Sequence, residues 1–302
     1  MDFPHKEYNR SIGAYAKKRA ASVPKELFRY RSCDSPFFKE ELVEFVSGNI
    51  YFPSRNTLND PHDCKPNFRR NSLQDFKKYI MPVSEIEYSL KIMDELECSF
   101  SQARKLFRSR SRKWHESFML KLYKKDSKRD PIAGENLCIV SLTSQPTNDV
   151  MWSTYCNRFT GYVQAFEIIP SLFGVWPEPS KVEYSDEKVT IDYFGLYGHY
   201  VWGSSLFTQH LKPHVIKKFR DNMHQKMWML QKSQRWAYEE EYRVVCYTSP
   251  GYSYQHCLRP SYIIVGSDTK SEHLKEIKSV GLPIYEARPA VKEYGVEIRP
   301  LD

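Results

Sequence analysis

Glycine is scarce in this chain, 12 residues in 302. The Gly-dependent phosphate loops are missing with it: there is no G-x-x-x-x-G-K-[ST], no G-x-G-x-x-G after a strand and no G-x-S-x-G. H-E-x-x-H is absent too, so P-loop, dinucleotide-fold, kinase, serine-hydrolase and zincin readings lose their support. No apolar run approaches the ~20 residues of a membrane span. Met1 to Lys6 carries no apolar signal core, so no membrane partner is expected. Cys33, Cys64, Cys98, Cys138, Cys156, Cys246 and Cys257 never fall as C-x-x-C. That scatter predicts reduced thiols in a cytoplasmic protein, without a disulfide frame or a metal site.

What is present is aromatic and locally basic. Phe, Trp and Tyr make up 15%, and 45 Lys+Arg against 37 Asp+Glu give a net charge of +8. From Arg104 to Arg129 there are eleven Lys/Arg and two acids, Glu116 and Asp126, so this segment holds the whole excess. Two readings follow. The run can be the solvated face of an amphipathic helix, with Phe107, Trp114 and Phe118 turned inward. Alternatively, Arg104, Arg108, Arg110, Arg112 and Lys113 contact RNA, DNA or an acidic protein, because concentrated positive charge draws polyanions.

Residues 1–26 read as a polar, basic N-terminal arm. Strand patterns fall at Leu27–Arg31, Ile50–Phe52, Leu137–Leu142, Tyr162–Ile168, Lys181–Tyr184, Tyr242–Tyr247, Tyr262–Val265 and Tyr294–Ile298. Phe38–Val46 has helical character closed by Gly48, and Glu272–Val280 is a helix closed by Gly281. Pro213 opens a helix with Val215, Phe219, Met223, Met227 and Leu230 as its stripe. Residues 72–125 read as helical, with Ser84-x-x-Glu87 as a capping box and Pro82 as a break. Strands on both sides of one helical block predict an α+β fold. Its core is a mixed, mainly antiparallel sheet in a single domain over 27–302, interrupted by the basic helical insertion at about 72–125.

Several patterns carry chemistry. Glu239-Glu240-Glu241 stands before a strand, and alternation along an extended backbone puts Glu239 and Glu241 on one side. Such a negative field suits a site that stabilises a developing cation. The bland alternative is a solvated strand entry, with Glu paired to Arg243 or Arg235. Arg29 and Arg31 share a face of the first strand and suit forked phosphate contact, or are surface arginines. Ser141 and Thr143 share a face at a strand end, where hydroxyls orient a ribose or simply shape a turn. Asp60 and Asp63 sit in an Asn-Asp-Pro turn and can serve a metal, a ribose or the turn alone. Trp152 and Tyr155, three apart, can stack a flat ring or fill core.

Phe28-Arg29-Tyr30-Arg31-Ser32, Leu58-Asn59-Asp60-Pro61-His62-Asp63, Met151-Trp152-Ser153-Thr154-Tyr155, Lys181-Val182-Glu183-Tyr184 and Lys232-Ser233 with Trp236-x-Tyr238-Glu239-x-Glu241-Tyr242-Arg243 come in the order of a bacterial family. Over about 27–70 and 137–299 the chain resembles domain-of-unknown-function family 2971, departing from it at Thr154, where the family tends to have His. The element order looks like that of the ADP-ribosyltransferases. That resemblance implies NAD as substrate, with Arg31 or Arg29 on its pyrophosphate. Ser141 and Thr143 would form the strand-end motif, with Tyr30, Tyr51 or Trp152 stacking on a ring. Glu241 would hold the ribose and Glu239 would activate the nucleophile. It also implies a toxin or phage-defence effector acting on a nucleic acid or protein target, with an antitoxin as a further partner. The alternative expectation is a non-enzymatic nucleic-acid-binding protein using the basic 104–129 segment.

Overall fold

A computed structural model describes residues 17–128, 136–192, 209–221, 228–292 and 294–301. In chain order the elements are β1 (Glu26–Arg31), α1 (Phe38–Val46), β2 (Asn49–Phe52), β3 (Asn67–Phe68), α2 (Met81–Leu96), α3 (Phe100–Arg108), α4 (Arg112–Lys128), β4 (Leu137–Thr143), α5 (Asp149–Tyr155) and β5 (Tyr162–Ile168). They continue with β6 (Ser180–Lys181), β7 (Glu183–Tyr184), β8 (Thr190–Ile191), α6 (Pro213–Asp221), β9 (Gln231–Lys232), β10 (Glu241–Tyr247), β11 (Gly251–Tyr254), β12 (Leu258–Gly266), α7 (Ser271–Lys278), β13 (Ile284–Pro289) and β14 (Val296–Pro300). This is the expected α+β fold, an eight-stranded, mixed, mainly antiparallel curled sheet with a helical segment inserted in the chain. Among the described residues no helix is long and apolar enough to cross a membrane. All seven cysteines are free.

The chain forms two compact units, 1–64 with 136–186 and 230–302, and 65–135 with 187–229. The first holds the large sheet, in the order β14-β13-β12-β5-β1-β4-β10-β6, with only β12–β13 parallel. Alternation splits its side chains between two faces. Leu27, Cys138, Val140, Leu142, Phe166, Tyr242 and Val244 pack with Phe38, Leu42 and Phe45 of α1. Those α1 residues recur at helical spacing, which makes one buried stripe. The opposite face holds Phe28, Tyr30, Val163, Ala165 and Ile264, covered by Met151 and Trp152 of α5. Asn148 starts α5, its side chain accepting from the Met151 N–H.

After α5 the backbone makes an unusual turn. Asn157, Arg158 and Phe159 all have left-handed φ, at 45°, 58° and 63°. Such residues are disfavoured by about 1–2 kcal/mol each, so the surroundings must hold them. The Phe159 ring stacks on Trp152, 5.3 Å between centroids, and the Phe159 carbonyl accepts from the Asp268 N–H at 3.0 Å. Gly266 lies directly beneath: a Cβ there would stand 2.0 Å from the Phe159 carbonyl oxygen. Gly266→Ala is therefore expected to cost about 1–3 kcal/mol, as overpacking against backbone does. A urea midpoint unchanged by that substitution would contradict the close approach.

The second unit is helical. Phe76, Ile80, Val83 and Ile86 pack with Leu211 and Val215, while Ile92, Ala103 and Phe107 pack with Tyr88, Trp114 and Phe118. Pro82 does not break this segment. It sits in the first turn of α2, just after a wide π turn over Phe76–Ile80 in which the Met81 N–H bonds the Phe76 carbonyl. A proline at that place removes no bond the helix needs. The capping box belongs to Ser99 and Gln102 at the start of α3, and Ser84 lies inside α2. Met223 and Met227 of the expected α6 stripe lie outside the described residues, as do residues 1–16 of the arm. The sequence reading missed β3, β8, β9, β11 and β13, and placed the last strand slightly early.

Candidate functional site

The site arises where the large sheet opens. β5 lies alongside all of β1, from Glu26↔Glu167 to Arg31↔Tyr162, and β10 alongside all of β4, from Glu241↔Thr143 to Tyr247↔Leu137. Between β1 and β4 there is a single residue pair, Phe28↔Thr143. Beyond it the strands part. Beside β4 the place of β1 is taken by the chain after β2, where the Ile139 N–H bonds the Pro53 carbonyl at 3.0 Å. The opening is a cavity of about 200 Å³, walled by Phe28–Arg31 on one side and by Ile139 and Ser141–Thr143 on the other. Tyr155, Lys232, Glu239 and Glu241 also line it.

One wall is a buried ionic cluster. Arg243 has no exposed surface, and Glu241, Asp63, Glu239 and Lys232 are at most 6% exposed. The Arg243 guanidinium forks twice. It donates to the two Asp63 oxygens at 3.0 and 2.6 Å, and to the two Glu241 oxygens at 2.7 and 2.9 Å. Lys232 Nζ donates to Glu239 at 2.6 Å and to Glu241 at 3.2 Å. It also lies 4.7 Å from the centre of the Trp236 ring. Tyr155 donates its hydroxyl to Glu239 at 2.6 Å and accepts from the Asn59 amide at 2.8 Å. Three carboxylates thus face two cations, and the cluster carries one net negative charge.

The two glutamates differ in consequence. Burial works against the charge of Glu241, but Arg243, Lys232 and the Ser141 hydroxyl outweigh it and hold its carboxyl below the usual range. Burial raises Glu239 above that range, only partly offset by Lys232 and Tyr155. Burial also opposes the charge of Lys232, yet Glu241 and Glu239 raise it above its ordinary 10.5. The stability Lys232 contributes is therefore fully present below pH 10.5 and is lost as pH rises through its higher folded value. Alkaline unfolding followed by fluorescence should show that loss in the wild type and not in Lys232→Met. Equal slopes in the two would contradict the assignment.

The opposite wall carries Arg29 and Arg31. The Arg31 guanidinium is committed to Glu41. Arg29 donates to the Tyr51 carbonyl at 3.3 Å, and among the described residues no acidic side chain pairs with it. Burial and the neighbouring Arg31 push Arg29 down to about 9, so it remains a cation at neutral pH. A half-buried guanidinium without a counter-ion is an anion receptor in waiting.

Glu239 and Glu241 do meet, but not along an extended backbone. Glu239 ends a 3-10 turn over Gln234–Glu239, and Glu240 turns the chain with φ 43°. Glu240 points elsewhere, accepting from Ser144 and Gln145 at 2.8 Å each. The solvated strand entry is not what forms, because Lys232 and Arg243 bury both neighbours of Glu240. Ser141 is exposed toward the cavity, while buried Thr143 accepts from the Gln145 N–H at 2.9 Å. Trp152 faces the core, and Tyr30, which borders the cavity, is itself buried. Tyr30 donates to the Gln145 carbonyl, and Trp152 has no exposed surface and donates to the Pro146 carbonyl. The Tyr51 ring packs on Tyr252 and is not among the cavity walls. Asp60 closes its own turn, accepting from the His62 N–H at 2.8 Å.

Sequence reasoning did not place Lys232 and Tyr155 with the glutamates, since they come from separate segments. Arg243 was legible as a partner, because it stands two residues after Glu241 on one face of β10. In the second unit Arg104 and Arg108 share Glu85 at 2.6 and 2.7 Å, and Arg112 pairs with Glu116 at 3.1 Å. Arg108, Arg110, Arg112 and Lys113 are exposed. No family model, curated protein or solved structure matches the chain.

Proposed function

We propose that the cavity binds NAD and that the protein transfers ADP-ribose from it to a nucleophile. The observation that carries this reading is the polarity of the opening. One wall holds a buried cluster with an excess negative charge, and the other holds Arg29, with which no acidic side chain pairs among the described residues. A ligand with an anionic diphosphate and an electrophilic, cation-forming sugar is complementary to both. At about 200 Å³ the cavity is below the ~300–1,000 Å³ of pockets for whole drug-sized ligands. It suits the nicotinamide–ribose end, with the diphosphate on Arg29 and the adenosine on the open surface.

The chemistry follows from the two carboxyls. Glu241 stays ionised and stabilises positive charge developing on the ribose as the bond to nicotinamide breaks. The electron pair of that bond leaves with the ring nitrogen, which becomes neutral. A nucleophile bonds to the anomeric carbon, and Glu239, with its raised affinity for a proton, takes the nucleophile's proton. Tyr155 holds Glu239 in place through its hydroxyl.

Purified protein incubated with NAD labelled in the adenine ring, with and without cell lysate or total RNA, tests this. Nicotinamide release and label transfer are expected in the wild type and not in Glu239→Gln. NAD left intact under all conditions, or consumed equally by that variant when folded, would refute the assignment.

A further inference from the structure

We propose that the exposed corner between α3 and α4 binds the phosphodiester backbone of nucleic acid. This surface needs nothing from the cavity and holds whether or not NAD is the ligand there. The corner is the run Arg108-Ser109-Arg110-Ser111-Arg112-Lys113, with Lys105 one turn earlier. Lys105, Arg108, Arg110, Arg112 and Lys113 are all exposed. Among the described residues no acidic side chain pairs with Lys105, Arg110 or Lys113. The acids nearby are already used: Glu85 serves Arg104 and Arg108, and Glu116 serves Arg112. The Arg108 and Arg112 ends of these pairs are exposed, and exposed pairs are weak and exchange readily for phosphate.

The corner is also held in shape. Phe107, Trp114 and Phe118 pack inward with Tyr88, which leaves the basic positions outward. The amphipathic-helix reading of the sequence and the polyanion reading are therefore two faces of one arrangement. Ser111 caps α4 by accepting from the Trp114 N–H at 3.2 Å, and Ser109 donates to the Leu106 carbonyl at 2.9 Å. The Arg110 guanidinium lies 5.5 Å from the centre of the Trp114 ring, so its planar fork is held at the surface.

Nucleic acid is favoured over an acidic protein by what the corner lacks. A protein interface needs an apolar centre inside its polar rim. Of the large apolar side chains in α3 and at the corner, only Leu106 is exposed, at 44%. Guanidinium groups on alternate residues, with little apolar surface between them, match a row of phosphates instead.

Fluorescence anisotropy of the full chain with roughly 20-nucleotide single-stranded RNA, single-stranded DNA and duplex DNA of one sequence tests the proposal. If the five cations each meet one phosphate, log K falls against log salt with a slope of about −3.5 for single strands. Raising salt from about 50 to about 200 mM then weakens binding about a hundredfold. The double variant Arg110→Gln/Lys113→Gln is expected to lower that slope by about 1.4. Both residues are exposed, so its circular dichroism and melting midpoint should match the wild type. Lys25→Gln/Lys275→Gln, equal in charge and elsewhere, should leave the slope unchanged. Whichever strand form binds tightest names the ligand. No binding at low salt, or a wild-type slope in the Arg110/Lys113 variant, would overturn the proposal. So would polyglutamate of equal charge competing as well as RNA, which would assign the corner to an acidic protein.

Discussion

Arg243→Ala is expected to lose about 3–5 kcal/mol of stability, the range for breaking a buried ionic group by removing one partner. The guanidinium has no exposed surface and forks to both Asp63 and Glu241, with two hydrogen bonds to each. Without it three buried carboxylates remain around Lys232, whose ammonium stands 3.9 Å from Asp63. Arg243→Lys should rescue little, because a single ammonium cannot fork to two carboxylates at once. Urea unfolding measures the loss. The double variant Arg243→Met/Asp63→Asn should lose less than the sum of its parts, since the residues share one network. A loss under ~1 kcal/mol for Arg243→Ala would mean that water reaches this cluster.

Glu239→Gln should behave in the opposite way, abolishing activity while sparing the fold. A positioned base contributes about 10²–10⁴-fold to a rate, so nicotinamide release should fall by that factor. Stability should hold or rise. Burial raises the proton affinity of Glu239, so its folded pKa lies above its unfolded value near 4.5. Stability therefore falls as pH rises through the interval between the two, and the penalty persists at neutral pH. Gln carries no charge to bury and removes that penalty. The wild-type reaction should fail as pH drops through the same raised value, because a protonated Glu239 accepts nothing. Parallel pH profiles of nicotinamide release and of unfolding check both claims at once. A variant that loses activity together with its fold would mark Glu239 as structural. A residue that costs stability and is required for turnover is what a functional site predicts.

The contrast between these two positions shows where the sequence is legible. The apolar, β-branched and aromatic runs at Leu27–Arg31, Leu137–Leu142 and Tyr242–Tyr247 identify three adjacent strands of the sheet, β1, β4 and β10. Alternation of side chains along a strand puts Glu241 beside Arg243. It could not anticipate the left-handed turn at Glu240, since no residue there signals it, and so Glu239 reaches Glu241 by a route the alternation rule does not describe. Pro82 misled for a similar reason: a π turn before it absorbs the constraint that proline imposes.

The sequence by itself determined the α+β class, the strands that carry the site, and the localisation of positive charge between Arg104 and Arg129, because periodicity and charge are properties of neighbouring residues. Only the tertiary structure decided that β1 and β4 part after Phe28↔Thr143 and open a cavity. It also decided that Asp63, Lys232 and Tyr155 converge on two glutamates, and that Arg31 is spent on Glu41 while Arg29 is not. These are pairings between segments up to 180 residues apart. Their partners are chosen by burial, which forces each charge out of water to find an opposite one within reach.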